Sequence, residues 1–189
     1  MSTLAFGTGF AQIIITRRVE LIKCVQTVKN SHIFIDSGLA KRRNKMISPS
    51  VMIVDDEAPF VETMTKRLEK RDLNVMAAFS GQEALKTLEK HSNIDVVILD
   101  VKMPGMDGIE TLKEIRARFP LVEVIMLTAH ATVESAIEGM KFGAFDYLMK
   151  PCDMGELMGK INEAARKKWN HEEKIKEARI KEILTKRGF

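Results

Sequence analysis

From residue 50 onward, short apolar runs rich in valine and isoleucine alternate with segments whose apolar residues recur every three or four positions. The runs are Val51–Val54, Val75–Phe79, Val96–Leu99, Val124–Leu127 and Tyr147–Met149. Three of them, Val51–Val54, Val96–Leu99 and Val124–Leu127, are apolar throughout, as strands covered on both faces would be. Between the runs, Phe60, Val61, Met64 and Leu68 form one helical stripe. Val133, Ala136, Ile137 and Met140 form another, and Leu157, Met158, Ile161 and Ala165 a third. Ser80 followed by Glu83 predicts a capping box at the start of the second helix. Five strands, each followed by a helix over a short connection, imply an α/β fold: a parallel sheet sandwiched between helices.

The flanking segments differ from this pattern. The net charge is +4 over 189 residues, but residues 1–48 carry eight Lys/Arg against two Asp/Glu, and residues 49–189 carry 22 against 24. The basic character therefore belongs to the N-terminal extension, and the periodic part has no electrostatic case for binding nucleic acid. Residues 1–45 lack the periodicity of the domain, and Met46 stands just ahead of the first strand as a natural start. An over-extended N-terminus and a basic interaction arm are the two readings of that segment. At the other end, residues 169–189 are rich in charge and in good helix formers. Glu172–Lys176, Glu177–Lys181 and Glu182–Lys186 are i,i+4 pairs in the favourable order, which predicts a charged helix prolonging the last one. Ile175, Ile180, Ile183 and Leu184 give it only an imperfect apolar stripe.

No apolar run reaches the 18 residues of a membrane span, and Leu4–Ile15 lacks the flanks of a signal peptide. Cys24 and Cys152 have no zinc-ligand spacing and suit a reducing cytoplasm as free thiols. Four scattered histidines (His32, His91, His130, His171) make a poor metal set, and His130, two residues past Thr128, reads as a solvated loop residue. The 12 methionines fall mostly on helix stripes and strands, which assigns them to packing.

Sites in open parallel sheets gather outside the carboxyl ends of the strands. Here the first strand ends in Asp55, Asp56 and Glu57, the third in Asp100, the fourth in Thr128 and the fifth in Lys150–Pro151. Three acids, a hydroxyl and an ammonium are thus expected on one rim. A like-charged pair about 4 Å apart costs on the order of 4 kcal/mol at an effective dielectric near 20, so the acids need compensation. An oxygen-preferring divalent cation supplies it, and Mg2+ typically takes one or two carboxylates together with waters and phosphate oxygens. This set is suited to phosphoryl transfer, with Asp100 as the nucleophile that forms an aspartyl phosphate.

The segments MIVDDE, VVILDVKMPGMDGIE, VIMLTAHA and AFDYLMKP resemble the signature segments of the bacterial two-component response-regulator receiver family. The resemblance covers roughly residues 49–168 and implies a flavodoxin-like strand order 2-1-3-4-5 with helices on both faces. It implies Asp55 and Asp56 in a Mg2+ site completed by Asp100 and the Lys102 backbone carbonyl, with Asp100 as phosphoacceptor. Thr128 and Lys150 would bind phosphoryl oxygens, and Tyr147 would be the rotating switch aromatic. Pro104 and Gly108 would shape the loop after Asp100, and Lys150–Pro151 would be a cis peptide. The implied donor is a sensor histidine kinase or phosphotransfer protein. The implied output is an effector protein on the face of the fourth helix, fifth strand and fifth helix.

The chain then reads as a basic extension (1–48), a receiver domain (49–168) and a charged helix (169–189). The 21 residues after 168 are too few for a helix-turn-helix or ATPase module, so the expected protein is a stand-alone cytoplasmic switch without a DNA-binding output domain. It would assist its own phosphorylation and dephosphorylation without being an enzyme that turns over a substrate. A phosphatase of the haloacid dehalogenase type is the rival from another class, but it places Asp-x-Asp on the first strand, where this sequence has Asp55–Asp56. A fragment of a larger transcription regulator is a third reading.

Overall fold

The computed structural model describes residues 48–129 and 132–186. The readings of residues 1–47 and of His130 and Ala131 lie outside the described residues. Among the described residues, five strands and five helices alternate: β1 (Ser50–Val54), α1 (Ala58–Glu69), β2 (Asn74–Ala78), α2 (Gly81–Lys90), β3 (Val96–Leu99), α3 (Gly108–Arg118), β4 (Glu123–Thr128), α4 (Val133–Lys141), β5 (Asp146–Met149) and α5 (Met154–Lys186). All four strand pairings are parallel, and the order is β2-β1-β3-β4-β5, as the resemblance implied.

The period of two along each strand sorts its side chains onto two cores. Met52 and Val54 of β1, Val97 and Leu99 of β3, and Val124 and Met126 of β4 face α2 and α3, against Leu85, Leu88, Leu112 and Ile115. Their neighbours Val51, Ile53, Val96, Ile98, Ile125 and Leu127 face α1 and α5, against Val61, Met64, Leu68, Leu157 and Ile161. β1, β3 and β4 are buried along their whole length, which is why the runs Val51–Val54, Val96–Leu99 and Val124–Leu127 are apolar without alternation.

Helix starts are chemically marked. Asp107 caps α3 by accepting from Glu110 N at 2.8 Å, and Thr132 and Ser135 form a reciprocal capping box on α4. At α2, Ser80 Oγ accepts from Glu83 N at 3.3 Å, but Glu83 returns its carboxylate to Phe79 N at 2.8 Å. The expected box is therefore half formed, with the glutamate reaching one residue past the cap.

The α4 stripe departs from its sequence pattern more sharply. Val133 is 71% exposed, and Ile137 and Met140 are about half exposed, so this stripe and Met140 with it are not core. The helix approaches the sheet through Gly139, the one α4 residue that is buried; a Cβ there would lie 3.6–3.8 Å from Met126, Tyr147 and Ile109. Met126 and Tyr147 of the sheet and Ile109 of α3 already occupy the space facing Gly139, and the apolar stripe is left outside. Met149 on β5 is likewise exposed.

The last helix runs unbroken to Lys186. Glu172–Lys176 (4.0 Å) and Glu182–Lys186 (2.6 Å) pair along it, and Ile175, Ile180, Ile183 and Leu184 are exposed. Its anchorage lies at the amino-terminal end of the sheet. Buried Lys168 donates to Ile94 O at 2.7 Å and pairs with Asp95 at 3.1 Å, while Trp169 Nε1 donates to the same carboxylate oxygen at 3.0 Å. Asp95 Oδ2 accepts from Ser50 N at 3.0 Å, tying β1 to the same cluster.

Candidate functional site

At the carboxyl end of the sheet, β1 and β3 stop side by side and deliver two carboxylates. Asp55 N bonds to Ala78 O (3.1 Å) and Asp100 N to Val54 O (2.9 Å), so the ladder fixes both backbones one residue past the strands. Asp55 is 2% exposed and Asp100 6%. Each carboxylate keeps one oxygen for a nearby backbone donor: Asp55 Oδ1 accepts from Glu57 N at 3.0 Å, and Asp100 Oδ2 from Lys102 N at 2.7 Å. The other oxygens converge on Lys150, which bonds to Asp55 Oδ2 and lies 3.2 Å from Asp100 Oδ1. Lys150 is itself held at the end of β5 by its N–H bond to Thr128 O at 2.9 Å, ahead of a cis bond to Pro151.

Two buried carboxylates sharing one ammonium leave a negative charge unmatched. Burial pushes the Asp55 carboxyl above its ordinary range, and the Lys150 and Glu57 hydrogen bonds only partly oppose this. Burial also works against the Lys150 charge, but the Asp55 hydrogen bond and the fields of Asp100 and Asp55 outweigh it and hold the ammonium above the usual lysine range.

The remaining predicted residues take distinct places. Asp56 is on the rim and exposed, next in sequence to buried Asp55. Thr128 is fully buried at the end of β4, in register with Met149. Lys102 is exposed in the loop after Asp100. Tyr147 is half-buried on β5, with its hydroxyl 2.9 Å from Ser135 Oγ on α4. Among the described residues, no three His, Cys, Asp or Glu side chains form a ready-made metal cage. The donors that are present, two buried carboxylates with surplus negative charge beside an exposed third, fit a hard divalent cation that keeps its waters.

The loop after Asp100 is shaped by glycines in two ways. Gly105 has φ +80°, a left-handed conformation that glycine adopts without strain, following Pro104. Gly108 is required for close approach: a Cβ there would stand 2.0 Å from Asp100 O. Sequence reasoning singled out Pro104 and Gly108 and passed over Gly105. It also left Ser135 and Phe60 without a role at the site. The Phe60 ring centroid is 4.0 Å from Lys150 Nζ, and only the position of Phe60 in the first turn after the acidic cluster signals this.

The family model described as response regulator receiver domain matches residues 51–162. Over 114 residues the chain is 40% identical to the transcriptional regulatory protein ZraR of Escherichia coli K12, covering 60% of this chain and 26% of ZraR. It is 38% identical over 112 residues to the DNA-binding transcriptional regulator NtrC of Klebsiella pneumoniae, covering 59% of this chain and 24% of NtrC. The chain thus spans about a quarter of the length of these curated relatives. Among solved structures, a receiver domain protein from Clostridium thermocellum superposes with TM-score 0.61 at 37% identity, covering 64% of this chain and 96% of that one. A CheY-like receiver domain protein from Methanospirillum hungatei gives TM-score 0.62 at 27% identity, covering 66% and 98%. With this match over more than half its length, the chain belongs to the response regulator receiver domain family.

Proposed function

We propose that this chain is a phosphorylation-dependent switch that accepts a phosphoryl group on Asp100 from a phosphohistidine of a sensor histidine kinase or phosphotransfer protein. The observation that carries this reading is the Asp55–Lys150–Asp100 junction, two buried carboxylates held by one ammonium at the carboxyl end of a parallel sheet. A carboxylate oxygen of Asp100 attacks phosphorus, the phosphorus–nitrogen bond to the donor histidine breaks, and its electron pair stays with the imidazole. Asp55, Asp56, Asp100 and the Lys102 carbonyl would hold Mg2+, whose charge, when bound, offsets the repulsion between Asp100 and the incoming phosphoryl oxygens. Lys150 already reaches both carboxylates and pairs with a phosphoryl oxygen as it arrives. The Thr128 hydroxyl donates to another. Lys102 N, which now donates to Asp100 Oδ2, keeps the carboxylate oriented through the step.

An aspartyl phosphate adds roughly one to two negative charges and new acceptor oxygens at this point. Recruiting Thr128 vacates space at the end of β4, and Tyr147 on the neighbouring strand turns inward to fill it. That turn breaks the 2.9 Å contact with Ser135 and frees α4 to shift. The switch needs two packings a few kcal/mol apart, so that the phosphoryl group can bias them. The exposed residues Val133, Ile137, Met140 and Met149 lie on the α4, β5 and α5 face and support protein contact there as the output. The receiver segment acts as a cytoplasmic phosphoacceptor, not as a turnover enzyme, and does so without touching nucleic acid or membrane. Among the described residues no helix is long and apolar enough to cross a membrane.

Phosphotransfer tests the reading directly. A labelled histidine kinase from the source organism should pass its label to wild type in Mg2+ and not to Asp100→Asn. Undiminished label on the variant would refute the assignment. Amide shifts on adding beryllofluoride, a phosphoryl mimic, should extend through residues 132–150; perturbations confined to residues 55–57 and 100–108 would show that no relay to α4 exists.

A further inference from the structure

We infer that the aromatic face of Phe60 is a positioning element for Lys150, holding its ammonium at the junction of Asp55 and Asp100; the inference rests on the phosphoacceptor reading above. Phe60 stands in the first turn of α1 and belongs by period to the stripe of Val61, Met64 and Leu68. Those three are buried, whereas Phe60 is half-buried and packs against the α1–α5 core with part of its surface outside it. Packing against that core thus leaves part of the ring free to meet another group. Its centroid lies 4.0 Å from Lys150 Nζ, within the range of a cation–π contact.

The ammonium has three N–H groups, and two partners are accounted for by the carboxylates. The ring covers a further side of the ammonium, where its negative face attracts the charge and displaces water that would otherwise compete. Lys150 comes from β5 and its partners from β1 and β3, so its long side chain must span the sheet end in one rotamer among many. A ring fixed on α1 reduces that freedom. The same turn of α1 is fastened to the site independently, since Glu57 N donates to Asp55 Oδ1 and Glu57 O accepts from Phe60 N at 2.9 Å. The ring, the Asp55 carboxylate and the ammonium are thus parts of one fastened unit. A leucine at 60 would fill similar volume without a quadrupole, and a tyrosine would retain the face.

The test compares Phe60→Leu with Phe60→Tyr in the full chain. The first readout is the shift of the Lys150 Hε protons, which a ring face moves upfield. The second is the initial rate at which acetyl phosphate with Mg2+ adds a phosphoryl mass. Wild type and Phe60→Tyr should share the upfield shift and the rate, while Phe60→Leu should lose the shift and slow by roughly fivefold or more, the scale of a partly desolvated cation–π contact. Thermal melts of both variants separate this from a general loss of folding. A wild-type rate and shift in Phe60→Leu, or equal impairment of both variants, would overturn the proposal. If wild type itself took up no phosphoryl mass, the phosphoacceptor reading would fail, and the Lys150 shift would still decide for or against the contact.

Discussion

One methyl group at Gly108 should damage both the fold and the phosphoacceptor. In Gly108→Ala the new Cβ would sit 2.0 Å from Asp100 O, 2.7 Å from Val101 Cα and 2.9 Å from Asp100 C, all backbone atoms. Side-chain carbons essentially never come within 3.0 Å of such atoms, so about 1 Å must open between α3 and the end of β3. Overpacking of this kind costs about 1–3 kcal/mol. The bond from Gly108 N to Val101 O, 2.8 Å long, stretches as well, at about 0.5–1.5 kcal/mol. Alanine regains up to about 1 kcal/mol of helix propensity at the start of α3. The net loss is about 1–4 kcal/mol, or roughly 3–14 °C in Tm for a domain of this size. Phosphoryl uptake should fall further than stability does, because the displaced backbone is that of Asp100. Gly159→Ala is the matched control. Nothing lies within 4 Å of its Cβ position in the exposed face of α5, so the same substitution should stabilise by about 0.5–1 kcal/mol. Urea titrations of both variants decide the matter. A neutral Gly108→Ala would show that the loop after Asp100 yields freely and that the close approach has no energetic weight.

Lys168→Met should cost about 2–3 kcal/mol in urea unfolding, below the roughly 3–5 typical of a broken buried pair, because Asp95 keeps Ser50 N and Trp169 Nε1 as donors. Unchanged stability would deny that the Asp95 cluster anchors α5. Asp55→Asn should stabilise the Mg2+-free protein at neutral pH. The Asp55 carboxyl is raised by burial above its ordinary 3.8, so the folded state binds its proton more tightly than the unfolded state does. The wild type therefore loses stability as pH rises through that interval, and the advantage of the variant should appear above it and vanish below 3.8. A pH-independent difference in paired melts would contradict the charge account. Ser135→Ala removes the partner of the Tyr147 hydroxyl and should shift the ring and α4 amide resonances toward their positions with beryllofluoride; a shift away from those positions would count against the switch.

Much of this architecture is legible in the residues, and where it is not, the reason is physical. β1, β3 and β4 announce themselves because burial on both faces fills Val51–Val54, Val96–Leu99 and Val124–Leu127 with apolar side chains. Strand-end residues mark the site, since a parallel sheet brings its carboxyl ends together whatever the intervening helices are. The α4 stripe misleads because periodicity reports that a helix has an apolar face and not what covers it. Here Gly139 makes the approach, and Val133, Ile137 and Met140 stay outside. The Asp95–Lys168–Trp169 cluster is hidden for the opposite reason: its partners are 74 residues apart, and a lysine in a charged helix gives no sign that it is buried. Phe60 reads as one more stripe residue until the ammonium from β5 is placed above its ring.

Asp100 should take up the phosphoryl group at a site charged for Mg2+. Intact-mass measurement after incubation with acetyl phosphate tests it most directly, with peptide mapping to locate the adduct. One phosphoryl mass on wild type, localised to the peptide holding Asp100, dependent on Mg2+ and missing from Asp100→Asn, is the predicted result. An adduct on wild type that persists undiminished in Asp100→Asn, or that forms equally well with Mg2+ chelated, would contradict the account.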